Sequence, residues 1–194
     1  DRPEVLVNLT LPQGSSLQAT RETVDRVEAI LKTDPDIAYW SFYIGQGAVR
    51  FYLPLDAQLA NDFFAQAVVV TKGYKQRPGV VARLEKALSS GFEDVMARVS
   101  PLELGPPVGW PLKFRVGGPD AAKTRELALE FAKLLGNHPG TRNVNYDWNE
   151  NAKVIKVEVD QDRARLLGIS SSQLANNINA ILSGSTVTQL REAT

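Results

Sequence analysis

The hydrophobic period changes at Pro12-Gln13-Gly14, and that change limits what the chain can fold into more than any other feature. Before it, Val5, Val7, Leu9 and Leu11 fall on one face of the stretch from Glu4 to Leu11, the period of a half-buried strand. After it, Leu17, Val24, Val27 and Leu31, joined by Ile30, recur at helical spacing behind a cap at Ser15 or Ser16. Asp34-Pro35-Asp36 ends that helix, and the aromatic, β-branched run from Ile37 to Ile44 predicts a second strand. Gly45-Gln46-Gly47 turns the chain, 49–53 is a short apolar run, 54–62 reads as loop, and Phe64 to Thr71 is strongly strand-like. Arg77-Pro78-Gly79 precedes a helix carrying Val80, Val81, Leu84, Ala87 and Leu88, Gly91 closes it, and the stretch from Val95 to Leu102 is extended again. This order predicts an α+β sandwich of the ferredoxin-like, split β-α-β kind.

Gly105-Pro106-Pro107-Val108-Gly109 is the clearest boundary, and after it the pattern starts again. A strand is expected at 112–116. A helix with Leu127, Phe131, Leu134 and Leu135 follows and stops at His138-Pro139-Gly140. Two further strands, 144–148 and 154–159, are expected around the polar turn Asn149-Glu150-Asn151, with Trp148 packed under the hairpin. A strand–helix–strand unit thus occurs near 4–44 and again near 112–148, as a structural duplication or as chance recurrence of a common motif. Beyond it come an Asp160-Gln161 hinge, a short helix at 162–167 broken at Gly168, and a helix at 170–183. The last is capped within Ser170 to Ser172, with Leu174, Ile178, Ile181 and Leu182 on one face. The stretch 185–190 alternates weakly. A strand there with no later partner would leave backbone groups unpaired, so truncation or pairing by another chain is expected.

Composition removes several function classes. Lys plus Arg and Asp plus Glu are 22 each, so the chain lacks the basic footprint of a general nucleic-acid binder. No run approaches the roughly 18 apolar residues of a membrane-spanning helix. The chain opens on Asp1-Arg2-Pro3 with neither Met nor a signal-peptide core, which reads as a cut boundary. There is no Cys and one His, so thiolate chemistry is absent and a Ser–His nucleophile at Ser170 to Ser172 has little support. His138 reads as part of a helix stop, and Met96 is the one soft thioether, so a metal site is not expected. Gly45-Gln46-Gly47 lacks the third glycine and the helix of a dinucleotide loop, and no cofactor is expected. Asn8-Leu9-Thr10 matches a glycosylation sequon but lies inside an expected strand. An enzyme built on Asp94, Glu103 and Asp147 ranks last, because no spacing pairs those carboxylates.

The stretches VEVDQDRARLLGIS at 157–170 and ILSGSTVTQ at 181–189, together with the element order, resemble resistance–nodulation–division efflux permeases of the acriflavin-resistance-like, hydrophobe–amphiphile branch. The resemblance covers nearly the whole chain and points to a piece of the second periplasmic loop. It implies a first carboxy-side porter subdomain at 1–105, the first half of a second at 106–160, and the start of a docking subdomain, cut short, at 161–194. It also implies a homotrimeric, proton-driven transporter in a Gram-negative inner membrane, met by a periplasmic adaptor and an outer-membrane channel, with the proton-relay residues elsewhere. The cargo would be small hydrophobic or amphiphilic molecules, moved without chemical change.

By the same resemblance, the stretch 45–64, with Phe51, Tyr52, Phe63 and Phe64, stands where the family carries a mobile switch loop. The other reading of these aromatics is half of a strand core. Arg98, Ser100 and Leu102 fall on the strand along the substrate-access cleft, where many drug pumps show phenylalanines. Arg98 there would favour anionic or amphiphilic substrates, and the other reading is a solvated edge-strand arginine. Asn145 and Asp147 take cleft-side polar places, with a turn-supporting role as the alternative. The rival functional reading is a stand-alone ferredoxin-like domain that senses a small ligand.

Overall fold

The computed structural model describes residues 2–102, 105, 109–148, 154 and 156–190, and the chain divides into two units, Asp1–Ala152 and Lys153–Thr194. In the first unit a four-stranded sheet has the order β2-β3-β1-β4, with β1 at Glu4–Thr10, β2 at Ile37–Ile44, β3 at Phe64–Thr71 and β4 at Met96–Pro101. Every pairing is antiparallel. Helix α1 (Leu17–Thr33) joins β1 to β2, and α2 (Arg77–Gly91) joins β3 to β4. This is the ferredoxin-like topology expected from the order of hydrophobic periods.

Alternation in the strands sorts the sheet into two faces. Val7 stands opposite Ala67 on one side and Val99 on the other, and Leu9 opposite Ala65 and Ala97. These side chains meet Val24, Val27 and Leu31 of α1 and Val80, Leu84 and Leu88 of α2 in one apolar cluster. Each valine or leucine among them stabilises the fold by about 1.5–3 kcal/mol through burial. The helix ends are fixed locally. Ser16 Oγ accepts the Ala19 N–H at 3.2 Å, starting α1. Asp34, the C-cap of α1, receives two 2.8 Å bonds from the Arg83 guanidinium on α2, which also reaches Asp36 at 2.7 Å. The two helices are thereby tied at one end. At the other, Arg26 of α1 donates to the Gly91 carbonyl at 2.6 Å and lies 4.3 Å over the Phe92 ring.

The opposite face carries Leu6, Asn8, Gln66, Val68, Arg98 and Ser100, by the same alternation. No helix covers it among the described residues; instead the β2–β3 loop, 45–63, lies there, with Ala48 and Leu55 buried.

Downstream of β4 the expectations are met only in part. Helix α3 (Ala121–Gly136) forms, capped by Asp120, whose Oδ1 accepts the Lys123 N–H at 3.0 Å. Its Phe131 meets Phe114 edge-on at 5.2 Å. The strands expected at 112–116 and 144–148 do not form, nor does any strand among the described residues of 154–159 and 185–190. A strand exists only by pairing, and none of these stretches has a ladder partner among the described residues. Trp148 is accordingly half exposed, not packed under a hairpin. The Pro106-Pro107 joint, Glu103 and the turn 149–151 lie outside the described residues.

The second unit holds α4 (Gln161–Leu166) and α5 (Ser171–Ser183), separated at Gly168, whose φ of +68° suits glycine. Ser170 and Gln173 form a reciprocal capping box at the start of α5. Leu166, Ile181 and Leu182 are exposed.

Candidate functional site

Two recesses in the first unit take up some of the residues singled out in the sequence: Arg98 and Ser100 line one and Asn145 the other, while Phe51, Phe63, Phe64, Leu102 and Asp147 line neither. One lies on the helix-free face of the sheet, beneath the β2–β3 loop. Its floor is Asn8, Gln66, Arg98 and Ser100, its roof includes Tyr52 and Leu55, and its volume is about 30 Å³. That is room for about one water molecule. Gln66 is only 2% exposed, and both ends of its carboxamide are engaged. Its Oε1 accepts the Ala48 N–H at 2.7 Å, and its Nε2 donates to Asn8 Oδ1 at 2.8 Å. Arg98 is half-buried, donates to the Gly109 carbonyl at 2.6 Å, and sits 5.6 Å from the centroid of the Trp110 ring. It does lie on an edge strand, as the alternative reading had it, but it is half-buried and hydrogen-bonded, not freely solvated. Leu102, just past β4, is buried.

The second recess opens at the start of β4, on the side facing α2. Its volume is about 530 Å³, and Leu88, Phe92, Met96, Asn145, Tyr146 and Trp148 contribute to its walls. The stretch 143–148 closes it on one side, held to α2 by an ion pair at 3.0 Å between Arg142 and Glu85. Asn143 takes a left-handed φ of +56°, and Asn145 Nδ2 donates back to its carbonyl at 2.8 Å. Asn145 thus braces the local backbone and lines the recess at once. Asp147 is exposed and does not line it.

The aromatics of the β2–β3 loop part company. Phe64 is buried at the first position of β3, as a strand-core residue would be, whereas Phe63 is half-buried. Phe51 is 45% exposed and tilted against Tyr52, with ring centroids 5.4 Å apart. Sequence reasoning missed Gln66 and Asn8. The available signal was a lone amide inside the apolar run of the strand Phe64–Thr71, opposite Asn8 in register.

No group of three or more His, Asp or Glu side chains suited to a metal ion occurs among the described residues. His138 takes part in its own turn, where its Nδ1 accepts the Gly140 N–H at 3.1 Å. Among the described residues the one carboxyl clearly displaced from its ordinary range is Asp34, held low chiefly by the Arg83 hydrogen bond, with burial opposing. It lies at the α1–α2 tie, away from both recesses, and reads as structural.

Among the described residues no helix is long and apolar enough to cross a membrane. Two solved chains, both from crystals of a heavy metal efflux pump, share this fold. One matches with a TM-score of 0.66 at 18% identity over 93% of this chain, the other with 0.64 at 17% identity over 92%. This chain spans 19% of each of them. An uncharacterized transporter of Haemophilus influenzae (strain ATCC 51907 / DSM 11121 / KW20 / Rd) is 33% identical over 88 residues, which is 45% of this chain and 8% of that protein. The profile of the AcrB/AcrD/AcrF family matches residues 1–194. The resemblance read from the sequence and the match along its whole length agree, and the chain belongs to the AcrB/AcrD/AcrF family of resistance–nodulation–division transporters.

Proposed function

We propose that this chain forms a periplasmic part of the substrate path in a proton-driven efflux transporter of a Gram-negative inner membrane. In this reading 1–105 is a porter subdomain, 106–160 the first half of a second, and 161–194 the start of a docking subdomain. The parent is a homotrimer that works with a periplasmic adaptor and an outer-membrane channel. The observation that carries the reading is the recess of about 530 Å³ at β4, walled by Phe92, Met96, Tyr146 and Trp148 and edged by Asn145. The apolar walls of this recess, which Glu85, Glu93 and Asp94 also line, bind greasy parts of a molecule by area burial, about 25 cal/mol per Å², with little directional demand. Small hydrophobic or amphiphilic compounds fit that chemistry, and the walls require no bond-making step.

The name of the solved relatives puts forward a metal ion as the cargo. The composition of this chain runs against that for its own stretch of the path, because soft metals need thiolate, thioether or imidazole clusters. The chain has no Cys, one Met and one His.

The absence of cysteine makes a direct test clean. Met96→Cys and Asn145→Cys are introduced singly into the parent transporter, which is first cleared of any other cysteine, and modified in cells with a bulky maleimide. Dye efflux falls several-fold at both positions and stays unchanged for a modified Lys32→Cys on the outer side of α1. Equal efflux after modification at all three positions contradicts the reading. Loss of metal tolerance with dye efflux intact replaces the cargo by a metal.

A further inference from the structure

The two ends of the four-stranded sheet carry opposite charge. At one end lie the starts of β1 and β2 and the ends of β3 and β4, and α2 begins there. Passing from β3 into α2 the chain reads Lys72-Gly73-Tyr74-Lys75-Gln76-Arg77. Backbone bonds fix this turn beside the start of β1: the Thr71 N–H donates to the Pro3 carbonyl at 3.1 Å and the Lys72 N–H to the Asp36 carbonyl at 2.8 Å. The Arg77 guanidinium donates to the Arg2 carbonyl, so Arg2 joins the same end. Lys72, Lys75 and Arg2 are exposed, and neither lysine is ion-paired among the described residues. Of the described carboxylates at this end, Glu4 is half-buried, and Asp34 and Asp36 are engaged by Arg83 at 2.8 and 2.7 Å. The first turn of α2, where a carboxylate would be favoured, has none. Asp62, Glu93 and Asp94 lie in the loops at the opposite end. The balance of 22 basic and 22 acidic residues thus conceals a separation of charge.

We propose that this end of the sheet docks on an anionic bilayer surface. Lys72, Lys75 and Arg2 meet lipid phosphates, Arg77 adds its charge behind them, and Tyr74 enters the headgroup layer. A basic cluster near an anionic lipid surface gains from each positive charge within a screening length. The ring of Tyr74, 49% exposed between the two lysines, favours a bilayer over a free anion. A free phosphate gains nothing from such a ring, whereas tyrosine settles where an apolar layer meets water. The lysine stems can lie along the same layer with their ammonium groups at the phosphates. The inference stands on the charges of the first unit and goes beyond the transport reading. In a membrane-bound parent it would turn this end of the sheet towards the lipid.

Co-sedimentation of the 194-residue chain with lipid vesicles tests the contact. At low salt the chain binds vesicles rich in phosphatidylglycerol at least about tenfold more tightly than vesicles of phosphatidylcholine alone, and added salt erodes the preference. Lys72→Gln combined with Lys75→Gln removes most of it. Arg21→Gln combined with Lys86→Gln, the same loss of charge at exposed positions nearer the other end of the helices, leaves it in place. Tyr74→Ser weakens binding several-fold with the charge unchanged. Replacing chloride by inorganic phosphate at equal ionic strength has no effect. Equal binding to the two kinds of vesicle overturns the proposal, as do equal losses from the two pairs of substitutions. So does a Tyr74→Ser chain that binds like the native one, or binding abolished by phosphate, since the patch would then serve a free anion.

Discussion

Helices α1 and α3 follow the same recipe, and the chain treats them differently. Each is amphipathic, each is opened by a side-chain cap, Ser16 or Asp120, and each sits where a strand–helix–strand unit was legible. Yet α1 buries Thr20, Thr23, Val24, Val27 and Leu31, while α3 buries only Ala132 and leaves Leu134 68% exposed. The difference lies in what is available to cover the apolar stripe. Helix α1 rests on a sheet whose strands are all paired. Helix α3 is flanked by stretches that form no ladder among the described residues, and one aromatic contact, Phe114 on Phe131, stands in for a sheet face. Helical periodicity specifies a helix; burial depends on the partner strands.

Substitutions can break that comparison. The largest effect is expected in the core beneath the four-stranded sheet. Leu31→Ala lowers unfolding free energy by about 2–5 kcal/mol, whereas Leu134→Ala changes it by less than about 0.5 kcal/mol, both read by urea titration. Equal losses would mean that α3 is packed as firmly as α1. Next comes Gly45→Ala at the neck of the β2–β3 loop. The φ of +75° and a contact of 2.8 Å between the new Cβ and Leu17 Cδ1 both oppose it. A loss of about 1–3 kcal/mol is expected, against a smaller one for Gly168→Ala, which shares a positive φ but has nothing within 4 Å.

The caps sharpen the comparison further. Ser16→Ala costs about 1 kcal/mol of global stability, while Asp120→Ala only frays α3, seen as lost helical circular dichroism without a shift in the main transition. The smallest effect concerns pH. The carboxyl of Asp34 is held below its ordinary value by Arg83, so its contribution is present above about pH 4 and is lost as the pH falls through the lowered value. Asp34→Asn is therefore less stable than the native chain at neutral pH, and the gap closes in strong acid; a gap independent of pH would remove the ion pair from the account.

The sequence carried the stretch from β1 to β4 well, because each element there combined a clear period with a local stop signal. The bounds expected for β2 and β3 match the structure, and Ser16 and Ser170 both cap helices as their positions suggested. It carried the region after Gly109 poorly, since alternation marks a strand only if a partner exists. The candidate site was legible residue by residue but not as an arrangement. Arg98 and Ser100 belong with Gln66 beneath a loop, and Asn145 belongs with Met96 at a separate recess. Strand parity alone does not give that sorting, because Met96, Arg98 and Ser100 share one face of β4 and Asn145 lies on no strand; Met96 is set apart by standing at the first position of β4. Gln66 escaped notice because a single amide in an apolar strand acquires meaning only when Ala48 and Asn8 arrive at its two ends.

Amide hydrogen exchange on the 194-residue chain tests the central contrast most directly. Amides of α1, β1 and β3 should exchange only through global unfolding, and those in the middle of α3 at least about a hundredfold faster by local opening. Equal protection across α1 and α3 would contradict the claim that an amphipathic helix here gains its stability from paired strands.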